Sequence, residues 1–147
     1  MTEIVKEMNF LAANLAADYA DGKYADGIEL DFLCTYRSCD RWDGKPITVV
    51  QRVETMLFSK PNSFGALFNQ YFKERIEEIA DELERDLSWC EKHGGEAAIT
   101  DARALANAAR RAVKNFRPMS VEEIVAVILP QLREWGYYWQ EEWECLA

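Results

Sequence analysis

The sequence predicts an all-α fold, a compact bundle of five or six helices, from three observations. Apolar residues recur at three- and four-residue steps through most of the chain, as they do on the buried face of a helix. Residues that start and stop helices flank these stretches. Hydrophobic residues make up 49% of the 147-residue chain, enough for a single domain, residues 1–147, to bury a core of its own.

The first predicted helix begins at a Thr2 cap and runs to about Tyr19. Two Asp-Gly pairs, which begin at Asp21 and Asp26, are typical of turns and are expected to end it. Its buried face is expected to consist of Ile4, Met8, Leu11, Ala12 and Leu15.

Residues 28–53 are compatible with two structures. In an α+β alternative, the alternating run 28–32 pairs with the β-branched run 47–53 as a small hairpin across an Asp-Gly turn. In the other, a helix starts at Pro46 and continues until Pro61 stops it. Helices are favoured, because two isolated strands form only a marginal sheet.

The longest helical pattern is Phe64–His93, and the rest of the fold is expected to pack around it. Ser63 is a suitable cap for its start, and Gly94-Gly95 is expected to end it in the left-handed conformation that glycine tolerates. One apolar face follows from the spacing of Phe68, Phe72, Ile76, Ile79, Leu83, Leu87 and Cys90.

Another side of this helix has carboxylates at four-residue spacing, Glu74, Glu78, Glu82 and Asp86, which we call the carboxylate row. Neighbours at this spacing repel each other by roughly 0.2–0.5 kcal/mol per pair. Lys73 and Arg85 lie near other acids of the helix and leave Glu74 and Glu78 with little relief. The row is therefore either a solvated face, supported by a basic helix of the same chain, or a docking face for a cationic partner.

The next predicted helix, residues 97–116, is rich in alanine and basic. Its apolar face is expected to contain Ala98, Ala102, Leu105, Ala109, Val113 and Phe116. We expect it to pair antiparallel with the preceding helix, so that basic and acidic residues face each other along the rim. Exposed pairs of this kind stabilise by about 0–1 kcal/mol each, so they would set the register more than the stability.

The last predicted helix covers residues 120–145. Ser120 and Glu123 have the spacing of a capping box, and Pro130 is expected to kink the helix. With the two helices before it, this helix is expected to form the central bundle. Core packing is the favoured interpretation for the aromatic residues at its end, and part of this cluster is expected to form a surface patch with an acidic rim. The cluster consists of Trp135, Tyr137, Tyr138, Trp139 and Trp143, with Glu134, Glu141, Glu142 and Glu144 among them.

The formal charge of −9 argues against direct binding to nucleic acid or to anionic membranes, both of which select for basic residues. The basic helix is the one candidate for such a contact, but it is expected to lie beside the acidic helix. The start of the sequence does not resemble a signal peptide, and no run of about 18 apolar residues occurs. A cytoplasmic protein with reduced cysteines is expected.

Chemical motifs are sparse. Cys34, Cys39, Cys90 and His93 form a loosely spaced set that is suited in type to tetrahedral zinc, but packing cysteines are the favoured interpretation. Acid pairs such as Glu141 and Glu144 invite comparison with all-α nucleotide pyrophosphatases, although acidic helices contain such pairs in general. No P-loop, GxGxxG, GxSxG or HExxH motif occurs. No cofactor and no catalytic residue is predicted.

The function predicted from the sequence is a small acidic, non-enzymatic protein that inhibits a cationic protein or a nucleic-acid-handling complex. In size, charge and lack of catalytic motifs the chain is similar to toxin-immunity proteins and to phage anti-defence proteins such as anti-CRISPRs, and no residue motif supports that likeness. A metal-dependent phosphohydrolase and a zinc-stapled assembly protein are the alternatives. The predicted contact residues are Glu74, Glu78, Glu82, Asp86, Glu141, Glu142 and Trp143.

Overall fold

The computed structural model describes residues 3–24 and 46–146, and this part of the chain forms five α-helices and no strand. The helices are α1 Glu3–Tyr24, α2 Pro46–Ser59, α3 Pro61–His93, α4 Glu96–Lys114 and α5 Val121–Leu146. The prediction of an all-α helical bundle is confirmed. Residues 25–45, which include Asp26, Cys34, Cys39 and the run 28–32, lie outside the described residues.

The second strand of the hairpin that was considered as an alternative is a helix in the structure. The run 47–53 lies inside α2, where Val49, Val50 and Val53 are buried. The first half of the hairpin, the run 28–32, lies outside the described residues. The helix that was predicted to start at Pro46 is confirmed.

The end of α1 was predicted too early. The helix continues past Tyr19 and through Asp21-Gly22 to Tyr24. An internal glycine costs about 1 kcal/mol relative to alanine, but contacts with other residues hold this last turn in place. Ala20 is fully buried, and the Asp21 carboxylate accepts a hydrogen bond from Arg75 of α3.

The start of α3 also differs from the prediction, because the helix begins at Pro61 and not after Ser63. Proline is well suited to the first turn of a helix, where its missing N–H is not needed. Lys60 alone separates α2 from α3: its N–H donates to Met56 O at 2.9 Å, and its carbonyl accepts from Phe64 N at 3.0 Å. Pro61 therefore ends one helix and begins the next.

The turn between α3 and α4 is extended and not left-handed, since φ is −97° at Gly94 and −84° at Gly95. The need for glycine arises from space. A Cβ atom at Gly94 would lie 2.9 Å from the carbonyl oxygen of Cys90, whereas one at Gly95 would meet nothing within 4 Å. Gly94 N also donates to that same oxygen at 2.7 Å. This hydrogen bond holds the Gly94 backbone close to the Cys90 carbonyl and leaves no room for a side chain.

The core is built from α1, α2, α3 and α5. Phe64 and Phe68 of α3 are fully buried, and Phe72 forms edge-to-face contacts with Tyr19 at 5.3 Å and with Phe116 at 5.8 Å between ring centroids. The predicted central bundle of α3, α4 and α5 is wrong, because α4 contributes only Ala106 and Ala109 to the buried residues. This helix packs against the outer side of α3.

The antiparallel pairing of α3 with α4 is confirmed. Phe116, just beyond α4, contacts Phe72, while Leu105 in mid-helix lies in one groove with Trp89 near the end of α3. The expected rows of facing charges are reduced to one ion pair among the described residues, between Arg110 and Glu84. Beyond Ala80 the only buried residue of α3 is Leu87, so this end of the α3–α4 pair extends past the core.

The start of α5 follows the prediction closely. Ser120 Oγ accepts from Glu123 N at 3.1 Å, and Ser120 N donates to Glu123 Oε1 at 3.3 Å, which is a complete capping box. The helix continues through Pro130, which is exposed. Farther along, Arg133 donates to Glu54 of α2 at 2.8 Å, and this hydrogen bond raises the pKa of Arg133.

Candidate protein-binding surface

The carboxylate row lies on the surface of α3. Glu74, Glu78, Glu82 and Asp86 are all exposed, and the helix spaces them about 6 Å apart along its axis. Each step of four residues also turns the side chain about 40° around the helix, so the row follows a shallow spiral. That spiral begins beside α1 and ends near the α3–α4 turn.

Arg75 lies beside the middle of the row and was not among the predicted contact residues. Its Nε donates to Asp21 Oδ1 at 2.6 Å, and its Nη1 donates to Glu78 Oε2 at 3.0 Å and to Glu82 Oε1 at 3.2 Å. Partial burial lowers the pKa of Arg75, but these three carboxylates outweigh that effect and raise it above the ordinary arginine value. Arg75 therefore stays charged and relieves the repulsion between Glu78 and Glu82.

The sequence did contain a signal for this pairing. Arg75 and Glu78 are three residues apart on the same helix, a spacing at which side chains meet. The link to Asp21, 54 residues away, depends on the packing of α1 against α3. Charge relief thus comes from Arg75 of α3 itself, and not from the basic helix as one interpretation of the row expected.

The two ends of the row keep their charge available. Glu74 accepts one long hydrogen bond from Gln70 at 3.4 Å, and neither Glu74 nor Asp86 forms an ion pair with any described residue. In the described part of the chain, Arg75 contacts only three carboxylates, those of Asp21, Glu78 and Glu82. This face of α3 therefore remains strongly acidic.

A groove adjoins the end of the row, between α3 and α4. It has a volume of about 330 Å³ and is lined by Leu83, Asp86, Trp89, Cys90, Ala102 and Leu105. Trp89 is 62% exposed and Leu105 is 45% exposed, although both are large apolar residues. We call this feature the Trp89 groove.

Trp89 was not among the predicted contact residues, although its position in the sequence gave a signal. It falls between Leu87 and Cys90 but off the apolar face that those residues continue. A tryptophan on the polar side of a helix exposes a large apolar surface unless another element covers it, and it therefore indicates a contact. Leu105 was expected to be buried on the apolar face of α4, and the expectation fails because only α3 covers that face here.

The second set of predicted contact residues lies on the last turns of α5. Glu141 and Glu142 are exposed, and Trp143 belongs to the same helix although its side chain is outside the described part. Tyr137 and Tyr138 are exposed as well. Tyr138 packs edge-to-face on Trp135 at 5.5 Å, and Trp135 stacks on Trp139 at 6.2 Å. Tyr137 and Tyr138 therefore form an exposed aromatic patch, whereas Trp135 and Trp139 pack against the core.

These two sets do not form one site in the described structure. The carboxylate row is on α3 and the aromatic patch is at the end of α5, and no hydrogen bond or ion pair within residues 3–24 and 46–146 joins the two sets. At the end of α5, Gln140 Nε2 donates to Glu144 Oε1 at 3.0 Å. The row and the patch are best treated as separate surfaces.

The residues of the zinc set are only half described. Cys90 is half-buried in the Trp89 groove, and His93 is exposed with its ring 5.2 Å from that of Trp89. Cys34 and Cys39 lie outside the described residues. Within the described ranges no group of three or more histidine, cysteine or acidic side chains is arranged to hold a metal ion.

Some basic residues of α4 face acids of α3, since Arg110 and Lys114 line a hollow with Glu77, Asp81 and Glu84. Arg111 of α4 and Arg117, just beyond the helix, lie elsewhere. Arg111 and Arg117 line a hollow of about 560 Å³ together with Lys23 of α1, above the apolar side chains of Phe72 and Phe116. Lys23 Nζ lies 5.8 Å from the ring centroid of Tyr19. Cations near the ends of α1 and α4 complement the negative ends of the helix dipoles.

None of the five helices in the described part of the chain is both long enough and apolar enough to cross a lipid bilayer. Comparisons with models of protein families, with curated proteins and with solved structures find no match for this chain.

Proposed function

We propose that this protein is a non-enzymatic binding protein that acts on a cationic protein partner through the acidic face of α3. The observation that supports the proposal best is the placement of the Trp89 groove at the end of the carboxylate row. Exposed Trp89 and Asp86 line the same groove, and Glu82 lies one turn before Asp86. Protein–protein interfaces typically have large aromatic residues at their centre and polar or charged residues around the rim. Trp89 and the carboxylate row have this arrangement.

The two parts of this surface have different roles in the proposal. Carboxylates on a rigid helix speed the encounter with a basic surface, and this effect weakens as salt screens the charges. A desolvated tryptophan contributes mainly to slow dissociation. Arg75 restrains Glu78 and Glu82 through two of its hydrogen bonds, so little side-chain freedom is lost there on binding.

The finer proposal concerns the kind of partner. A row of carboxylates on one helix resembles a row of phosphates in charge, so a basic groove that normally holds nucleic acid is a suitable target. Occupation of such a groove would inhibit the partner, as expected for an anti-defence or immunity protein. Glu141, Glu142 and Trp143 at the end of α5 would provide a second, smaller contact.

Affinity capture tests this proposal. The protein is immobilised, and captured proteins are identified by mass spectrometry at low and at moderate salt. The test variant replaces Glu74, Glu78 and Glu82 by glutamine and Asp86 by asparagine. The control variant makes the same change of charge at four other exposed positions, Glu91, Asp101, Glu122 and Glu134.

The proposal predicts a basic protein that is captured by the wild type and the control variant but not by the test variant. The purified partner must then bind in isolation, more weakly at higher salt. Equal capture by all three proteins would contradict the proposal and leave the carboxylate row as a solvated face.

A further inference from the structure

The Trp89 groove has three kinds of surface that a single amino-acid side chain can contact at the same time. Leu83, Ala102 and Leu105 provide apolar walls, Trp89 provides an exposed indole, and Asp86 provides a carboxylate. No cation is among the lining residues. The volume of about 330 Å³ is at the lower end of the range of small-ligand sites, so the groove suits a single long side chain better than a larger ligand.

We infer that the Trp89 groove binds an arginine side chain of the cationic partner. The aliphatic stem would lie against Leu83 and Leu105, and the guanidinium would reach the Asp86 carboxylate while it stacks on the indole of Trp89. Arginine fits better than lysine, because its planar guanidinium stacks on aromatic rings and forms two parallel hydrogen bonds with a carboxylate. Tryptophan is the aromatic residue that attracts a cation most strongly.

Charge complementarity supports this occupant over an apolar one. The carboxylate row leads up to the groove, with Glu82 one turn before Asp86, so the local potential favours a cation. An apolar side chain would cover Asp86 and remove its carboxylate from water without a partner, which is unfavourable. The arginine instead gives that carboxylate a partner as it enters.

This inference rests on the proposed function, because it assigns one contact within the same surface. It can be tested without the partner, however, by titration of the whole protein with argininamide. Citrullinamide is the matched probe, since it has nearly the same shape and the same α-amino group but a neutral urea in place of the guanidinium. The readout is the indole N–H resonance of Trp89 in a ¹H–¹⁵N spectrum, which a Trp89→Phe variant identifies among the five tryptophans.

We expect argininamide to shift the Trp89 resonance in a saturable manner at millimolar concentrations, and citrullinamide to have little effect. In Asp86→Asn the apparent Kd for argininamide should be weaker by roughly three- to fivefold, as expected for loss of an exposed ion pair. Glu91→Gln, an exposed change on the same helix outside the groove, should leave the Kd unchanged.

Equal shifts with the two probes, no shift at Trp89, or a Kd that does not respond to Asp86→Asn would each overturn the inference. Any of these results leaves the proposed function open to its own test, because affinity capture depends on the whole carboxylate row. Failure of capture combined with a positive titration would instead reject the protein partner and retain a groove that binds arginine.

Discussion

The guanidinium of Arg75 joins two helices, since its Nε donates to Asp21 Oδ1 at 2.6 Å across the contact between α3 and α1. Both side chains are mostly covered, with 23% of Arg75 and 19% of Asp21 exposed. The same guanidinium also donates to Glu78 and Glu82. One residue therefore fixes the last turn of α1 and also sets how the middle of the carboxylate row is presented.

Removal of the Arg75 charge should destabilise the protein. Arg75→Gln leaves Asp21, Glu78 and Glu82 without their cation, and we expect the free energy of unfolding to fall by about 1–2 kcal/mol. Arg85→Gln is the control, because Arg85 is exposed on the same helix, and its effect should stay within about 0.5 kcal/mol. Urea denaturation of both variants measures the difference. Equal stability of the two variants would show that the Arg75 network does not contribute to folding.

The pH dependence of this effect follows from the raised pKa of Arg75. A base whose pKa is higher in the folded state contributes stability that is fully present below its unfolded pKa and is lost only as pH rises through the folded pKa. For arginine both values lie far above neutrality. The stability difference between wild type and Arg75→Gln should therefore be constant from about pH 7 to pH 9. A difference that declines over this range would contradict the assignment.

The two glycines between α3 and α4 should respond in opposite ways to the same substitution. Gly94→Ser places a Cβ against the Cys90 carbonyl oxygen, a backbone atom that cannot easily move, and should destabilise by about 1–3 kcal/mol. Gly95→Ser adds a side chain in open space at the N-cap of α4, and should stabilise by about 0.5 kcal/mol. Thermal melting of both variants measures the effect. A left-handed turn at Gly95 would reverse the expectation for that position.

The capping box of α5 should contribute measurably to stability. Ser120→Ala removes the acceptor for Glu123 N and should cost about 1 kcal/mol. Ser63→Ala is a matched control, because Ser63 lies inside the first turn of α3 and the N-cap position there belongs to Lys60. Its effect should be neutral or slightly stabilising, since alanine is the better helix former. A larger loss at Ser63 than at Ser120 would mean that the helix starts are assigned incorrectly.

The phenylalanine core of α3 should be the most sensitive part of the fold. Phe68 is fully buried and lies 5.9 Å from Phe72 between ring centroids, so Phe68→Ala should destabilise by about 3–5 kcal/mol. Phe58→Ala removes the same atoms from a side chain that is 65% exposed and should change stability by about 0.5 kcal/mol or less. Urea denaturation compares the two. Similar losses would contradict the assignment of the core.

Features set by local sequence were predictable. The Ser120 and Glu123 pair and the periodic face that contains Phe68 and Ile76 both depend on residues a few positions apart, and both were predicted correctly. The continuation of α1 through Gly22 was not, because it depends on Arg75, which is distant in sequence. The extended Gly94 turn was also missed, since a glycine pair is compatible with several backbone conformations.

The candidate surface was predictable only in part. Regular spacing identified the carboxylate row, and the structure places all four members on the surface. The Trp89 groove was missed because residues of two helices, α3 and α4, form it. Trp89 and Leu105 are exposed there because no other helix of the described chain covers this end of the α3–α4 pair. Periodicity alone assigns Leu105 to a buried face, but α4 has only α3 to cover it at that position. The periodicity of one helix does not show which residues of a second helix it contacts, so the groove could not be predicted from the sequence of either helix.

The most direct test of the proposed function is the affinity of the purified cationic partner, measured by isothermal titration calorimetry at two salt concentrations. We expect that neutralising Glu74, Glu78, Glu82 and Asp86 weakens binding by roughly tenfold or more, whereas neutralising Glu91, Asp101, Glu122 and Glu134 changes the Kd by roughly twofold or less. The difference should shrink as salt increases. Equal affinities for the two variants would contradict the claim that the acidic face of α3 is the binding surface.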